Sequence, residues 1–224
     1  MDVPGSIPRR EWLIAAGLIL LALVPSLAGM IRIGEIVSGA PETLDNARFL
    51  RMPLPVVVHI VGALVYSVVG AFQFLPGLRR RHLAWHRFAG RYLLVPAGLV
   101  VAVSGLWMTA FYDSPPVDGV VLALSRYLVG GLMLAFLAAG VAAIARRDRS
   151  AHGAWMIRAY ALALGAGTQV LTSGPFLLMF GEPDVVARVV QMDAGWIINA
   201  IVAEWVIVRR RAARRRHRAA LAEA

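Results

Sequence analysis

Six long apolar runs, closed off by charged or Pro/Gly-rich segments, constrain this chain more than any other feature. They are Trp12–Ile31, Met52–Leu78, Tyr92–Tyr112, Gly119–Ala145, Ala159–Phe180 and about Val189–Val208. Each reaches the ~20 residues that an α-helix needs to cross a ~30 Å hydrocarbon core. The expected fold is all-α, an integral membrane bundle of six transmembrane helices forming one domain over residues 1–224. No soluble domain fits between the runs. The first run is longer than the apolar core of a signal peptide, so it reads as an uncleaved helix. Residues 209–224 read as a basic tail that prolongs the last helix out of the membrane.

Arginine placement predicts the orientation. The chain carries 23 Lys+Arg against 13 Asp+Glu, and every one of the 23 is arginine. Arg9-Arg10, Arg79–Arg91, Arg146–Arg158 and Arg209–Arg218 fall at every second boundary between runs. The other boundaries read "GAPETLDNARFL", "DSPPVDG" and "GEPDVVAR". The positive-inside rule then places both termini in the cytoplasm, with a bacterial inner membrane as the expected location. It also accounts for the net charge of +10 without nucleic acid. The partner expected for the basic tail is a bilayer with anionic headgroups. The segment Arg32–Arg51 is long enough for a short surface helix, with Pro41 near its start.

Chemistry is narrowed by what is missing. There is no cysteine, which removes disulfides, iron–sulfur clusters, covalent c-type haem and thiol nucleophiles. No H-E-x-x-H or spaced nucleophile–base set occurs, which disfavours a hydrolase.

Ionisable groups inside a span are costly, so each calls for a partner or a role. His59, Arg126 and Asp193 fall in the half of the membrane away from the arginine clusters. The expectation is an Asp193–Arg126 ion pair with His59 beside it, either a structural clasp or a redox, proton or ligand site. His59, Tyr66 and Gln73 recur every seven residues and share one helix face, which should look into the bundle. Arg158 and Gln169 share a face of the fifth span; Asp193 and Glu204 have the same eleven-residue spacing on the sixth. Asn199, mid-span, should bond to a neighbour. Glu204 lies at the depth where Arg158, Arg91 and Arg87 arrive, so a Glu204–Arg contact is expected there. Gly90, Ala97 and Ser104, and the Gly130-Gly131 pair, are small-residue positions suited to close helix packing.

Two motifs open the third and fifth spans from the arginine-rich side. One is His86-Arg87-Phe-Ala-Gly90-Arg91-Tyr92; the other is His152-Gly-Ala-Trp-Met156-Ile-Arg158-Ala-Tyr160. Two neutral imidazoles on different helices can ligate both axial positions of a b-type haem, with arginines pairing the propionates. In that reading His86 and His152 are the iron ligands, the only metal role expected, and Arg87, Arg91 and Arg158 hold the propionates. The competing reading makes the same residues interfacial anchors bonded to lipid phosphate and loop carbonyls.

"AFQFLPGLRRRH", "WHRFAGRYLL" and "AWMIRAYALALGAGTQ" together resemble a bacterial family of predicted multi-pass membrane proteins of unknown function. The resemblance runs from about His59 to Glu204 and rests on His59, Gln73, His86, Arg87, Gly90, Arg91, His152, Met156, Arg158 and Tyr160. It implies a helical membrane protein and no particular activity. The family pattern has an arginine near the position of Gln169, where this chain departs from it. The His-Arg-x-x-Gly-Arg segment is also similar to one in membrane ferric reductases and related b-type cytochromes. Those proteins carry four histidine ligands for two haems. Here at most one bis-histidine haem is arguable, from the inner histidines His82, His86 and His152. Two functions remain open: a haem b redox protein, or a non-enzymatic carrier or accessory subunit.

Overall fold

The computed structural model describes residues 7–222. Among these, six helical segments are long and apolar enough to cross a membrane. In lipid the backbone finds no water, so apolar stretches of this length satisfy their N–H and C=O groups as helices. The segments are α1 (Arg9–Ser38), α3 (Pro53–Gln73), α5 to α6 (Leu83–Phe111), α7 (Gly119–Ala145), α8 to α9 (Arg149–Phe180) and α10 (Val185–Ala222). Two short helices, α2 (Ala47–Arg51) and α4 (Pro76–Arg81), lie between them. The protein is an all-helical membrane bundle. Large apolar side chains such as Leu20, Leu128, Leu178 and Ile201 cover its outside, as a lipid-facing surface requires.

Local chemistry sets the helix ends. Gly39, at φ +66°, lets the chain turn left-handed and close α1, its N–H reaching Glu35 and Ile36 carbonyls. Pro53 opens α3, where a missing N–H costs nothing. Asp148 caps α8 by accepting from the N–H groups of Ser150 (3.0 Å) and Ala151 (2.9 Å). Because of that cap the fifth span starts at Arg149, ten residues before the apolar run in the sequence. The third likewise starts at Leu83. Both histidine motifs at the arginine-rich end are therefore helical rather than flanking loop. Inside the first of them the helix widens into a π-turn over Gly90–Leu94.

The surface helix expected in Arg32–Arg51 exists, but not where Pro41 suggested. It spans Ala47–Arg51, since α1 runs on to Ser38 and Asn46 organises the turn. Asn46 accepts from the Thr43 N–H (2.6 Å) and donates to the Pro41 carbonyl (3.0 Å).

Neighbours follow the chain. α1 packs on α3, α3 on α6, α6 on α7, α7 on α8, and α10 on α8 and α9, while α9 returns to touch α1. The core at the centre includes Tyr66, Val101, Met133, Leu137, Ala159 and Tyr160. Small residues decide how closely the helices approach. The Tyr160 ring lies where a side chain on Gly70 would stand, and the α1 backbone at Leu21 lies against Gly167.

Two spans bend. Pro25 sits inside α1, where it removes one ladder hydrogen bond. The fifth span breaks at Leu164 between α8 and α9 without a proline; the Leu164 carbonyl instead takes the Gly167 N–H at 3.0 Å. Pro25 and Leu164 line the same space inside the bundle.

Candidate functional site

At the arginine-rich end the fifth and sixth spans are tied by charge. Arg158 donates from Nε to Glu204 Oε1 (2.5 Å) and from Nη2 to Oε2 (2.8 Å), and its guanidinium lies 4.6 Å from the Trp155 ring centroid. Of the three arginines expected near Glu204, it is Arg158 that forms the pair; Arg87 and Arg91 are exposed. The shared face of Arg158 and Gln169 is real, since Gln169 Nε2 donates to the Met192 carbonyl (3.0 Å), again on α10. Asn199 bonds both ways, donating to the Ala161 carbonyl (3.0 Å) and accepting from Thr168 (2.8 Å).

The two histidines have different surroundings. His152 Nδ1 is 2.9 Å from the Gly140 carbonyl, so Nδ1 carries the proton and Nε2 is left with its lone pair. His86 Nδ1 is buried and has no hydrogen-bond partner among the described residues. Beside His86 is a cleft of about 10 Å³ lined by residues including Phe72, Gln73, Arg79 and Trp85. Gln73 thus comes to the same cleft as His86. Arg79, outside the spans, has its pKa lowered by burial and by the nearby Arg214 and Arg80.

A larger space lies mid-bundle. A cavity of about 150 Å³ opens between α1, α3, α6 and the α8–α9 break. Its walls include Pro25, Ala63, Leu64, Val101, Leu164 and Gly167, with His59, Tyr66, Ser26 and Ser67 as polar members. Pro25 and the Leu164 break both border it. His59 is fixed from behind, with Nδ1 3.0 Å from Ser104 Oγ. The single Ser104 hydroxyl proton goes to the Val100 carbonyl at 2.5 Å. Ser104 must then accept from His59, which sets the Nδ1–H tautomer and leaves Nε2 as an acceptor. The heptad face is thus divided, with His59 and Tyr66 on the cavity and Gln73 on the cleft.

The far end overturns one expectation. Arg126 does not pair with Asp193. Its Nη2 donates to Asp118 Oδ2 (2.7 Å), and Arg188 Nε donates to Asp118 Oδ1 (3.0 Å). Asp193 Oδ2 accepts from Ser125 Oγ (2.9 Å), and its buried Oδ1 has no partner among the described residues. His59 belongs to Ser104 rather than to this cluster. The physical reason is reach. Asp118 closes the turn before α7 and lies beside the first turns of α10, so it meets both guanidiniums where they emerge. Asp118 lay in a stretch read as loop, so sequence reasoning passed over it; its position eight residues before the span's lone arginine was the available signal. Glu11 was missed too. It is 5% exposed and accepts from the Gly77 N–H at the start of α4 (2.7 Å).

A family model described as "Predicted membrane protein (DUF2306)" matches residues 56–207. The chain belongs to this family. The matched stretch holds the cavity residues of α3, α6, α8 and α9, both histidine motifs, and the Asp118 and Glu204 ion pairs. No curated protein and no solved structure matches the chain.

Proposed function

We propose that this DUF2306 protein is a non-enzymatic ligand-binding or carrier protein of the membrane, holding a small, largely apolar molecule beside His59. The observation that carries the reading is the cavity of about 150 Å³ lined by Pro25, by Leu164 at the α8–α9 break and by His59. A space of that size in an apolar core takes a benzene-sized ring. Irregular backbone at membrane depth is tolerated where it lines a cavity, which is the setting of Leu164. His59 offers an acceptor nitrogen, so the ligand that fits has one hydroxyl or N–H donor on an apolar body.

The test uses the detergent-purified protein with 4-fluorophenol and fluorobenzene, followed by fluorine NMR. Both rings bind the wild type, and Ala63→Leu, which fills the cavity, removes binding of both. Equal binding to Ala63→Leu and wild type overturns the reading.

A second reading, a haem b redox protein, is favoured by one observation: the His152 Nδ1–Gly140 bond is the arrangement that orients a metal-ligating imidazole. The buried, unpartnered His86 Nδ1 agrees with it. Against it, the cleft beside His86, about 10 Å³, has room for roughly one water and not for a macrocycle. Arg158, one of three expected propionate partners, is also engaged by Glu204. The test is a visible spectrum, oxidised and dithionite-reduced, after expression with ample haem. A Soret band lost in both His86→Ala and His152→Ala supports haem; no band removes it.

The orientation belongs to the proposal as well. Arginine clusters at one end of the bundle support a cytoplasmic assignment for that end and for both termini, in a bacterial inner membrane with anionic headgroups around the basic tail.

A further inference from the structure

One hydroxyl in the bundle core is left without a partner. The hydroxyls of Tyr112 and Tyr160 donate to the Met52 and Ser67 carbonyls, both at 2.6 Å. Tyr66, only 4% exposed, makes no such bond among the described residues. A buried tyrosine hydroxyl normally finds a partner, because an unpaired O–H gives up its water for nothing. The Tyr66 ring is held firmly all the same. Its edge fills the notch left by Gly98 on α6, where an added Cβ would lie 2.7 Å from it, and Tyr160 flanks it at 5.7 Å. Tyr66 lines the cavity of about 150 Å³ together with His59.

The two cavity groups are complementary. His59 Nε2 accepts, because the bond to Ser104 puts the ring proton on Nδ1. Tyr66 has an O–H to donate. Ser67, also on α3 at the cavity, is spent, since its hydroxyl donates to the Ala63 carbonyl (2.7 Å). Ser26, on α1, has the carbonyls of its own helix in reach. His59 and Tyr66 are seven residues apart on α3, which is about 10.5 Å of helix rise, and both side chains lean toward the same helix end. A six-membered ring with oxygens at its opposite ends, hydrogen-bonded at each, measures about 11 Å from partner to partner. The walls between, among them Ala63, Val101 and Leu164, are apolar.

We propose that the cavity binds a small aromatic ring with oxygens at para positions, a hydroquinone-type ligand, between Tyr66 and His59. One ring hydroxyl donates to His59 Nε2, and the opposite oxygen accepts from Tyr66. The inference rests on the cavity reading above and adds the second end of the ligand. A quinone has acceptors at both ends and leaves His59 Nε2 unpaired, so the reduced ring is the form that fits.

The experiment uses the full-length protein in detergent, with bound 4-fluorophenol as the fluorine NMR reporter. Hydroquinone, kept reduced under nitrogen, and 4-methylphenol then compete for the site in separate titrations. Both competitors offer a donor to His59, but only hydroquinone offers Tyr66 an oxygen. Tyr66→Phe weakens hydroquinone binding about twofold to tenfold, the effect of one neutral hydrogen bond, and leaves 4-methylphenol unchanged. The ligand-free variant melts no lower than wild type, because the hydroxyl removed has no protein partner. Hydroquinone binding that is equal in wild type and Tyr66→Phe overturns the proposal, and continued 4-fluorophenol binding then leaves the cavity reading standing. A lowered melting temperature of Tyr66→Phe also overturns it, since Tyr66 would then be bonded within the protein. A wild type that fails to bind 4-fluorophenol, or binds it no better than Ala63→Leu, overturns both readings.

Discussion

Arg158 and Glu204, forty-six residues apart, meet as a two-bond ion pair at one end of the bundle, with Nε–Oε1 at 2.5 Å and Nη2–Oε2 at 2.8 Å. The pair joins the fifth span to the sixth at the membrane boundary. Beside it, toward the arginine-rich end, Ala154, Ile157, Ala203 and Ile207 form a small apolar cluster between the same helices. Charge and packing thus fix one register. Glu204 is about half exposed (51%), so the contribution is that of a screened pair rather than a buried one. Glu204→Gln should cost roughly 1 kcal/mol. The exchange Arg158→Glu with Glu204→Arg should recover part of the loss, measured as a double-mutant cycle in detergent.

The far-end charges give a sharper contrast. Arg126 and Asp118 should show coupling in a double-mutant cycle, because removing either leaves the other poorly solvated. Arg126 and Asp193 should show coupling within error of zero, since they share no bond. A large Arg126–Asp193 term would mean that the ion pair read from the sequence forms after all. Ser125→Ala, which removes the one donor to Asp193, should cost about 1–3 kcal/mol, the cost of an unsatisfied buried acceptor.

Gly70 and Tyr160 form a notch and its occupant. Tyr160 Oη donates to the Ser67 carbonyl at 2.6 Å, and its ring stacks near Tyr66 (5.7 Å) and Phe74 (4.8 Å). Gly70→Ala puts a methyl where the ring lies and should destabilise by about 1–3 kcal/mol. Tyr160→Phe keeps the ring and loses one hydrogen bond, at about 1 kcal/mol. If Gly70→Ala melts like the wild type, the notch is not tight.

His59 can be separated from its cavity. His59→Leu should weaken 4-fluorophenol binding about twofold to tenfold, the range of one neutral hydrogen bond, and leave fluorobenzene unchanged. Ser104→Ala should give a smaller loss, because it releases the tautomer without removing the ring. Parallel losses for both probes in His59→Leu would make the histidine a wall rather than a hydrogen-bonding partner.

Much of the architecture was legible because lipid leaves the backbone few choices. Run length predicted six spans, and Asp193 with Glu204, like Arg158 with Gln169, lay at spacings that put each pair on one face. The Glu204–Arg contact followed from depth alone, since both ends of that pair lie a few residues from a boundary. Helix starts were less legible. Leu83 and Arg149 begin spans well before the apolar runs; Asp148 caps the second of these starts, and the first at Leu83 has no side-chain cap.

By itself, then, the sequence determined the helical class, the number of spans, which residues are polar within them and which depth each occupies. Hydropathy and spacing are one-dimensional quantities, and those are one-dimensional facts. Which acid meets which arginine depended on how the helices pack and turn. Asp118 takes Arg126 and Arg188 because a loop carboxylate lies at the meeting point of α7 and α10, while Asp193, at a suitable depth, accepts from Ser125 instead. The cavity beside His59 is likewise a tertiary product. Pro25 and the break at Leu164, far apart in the chain, line it together, and their coincidence cannot be read from either position alone.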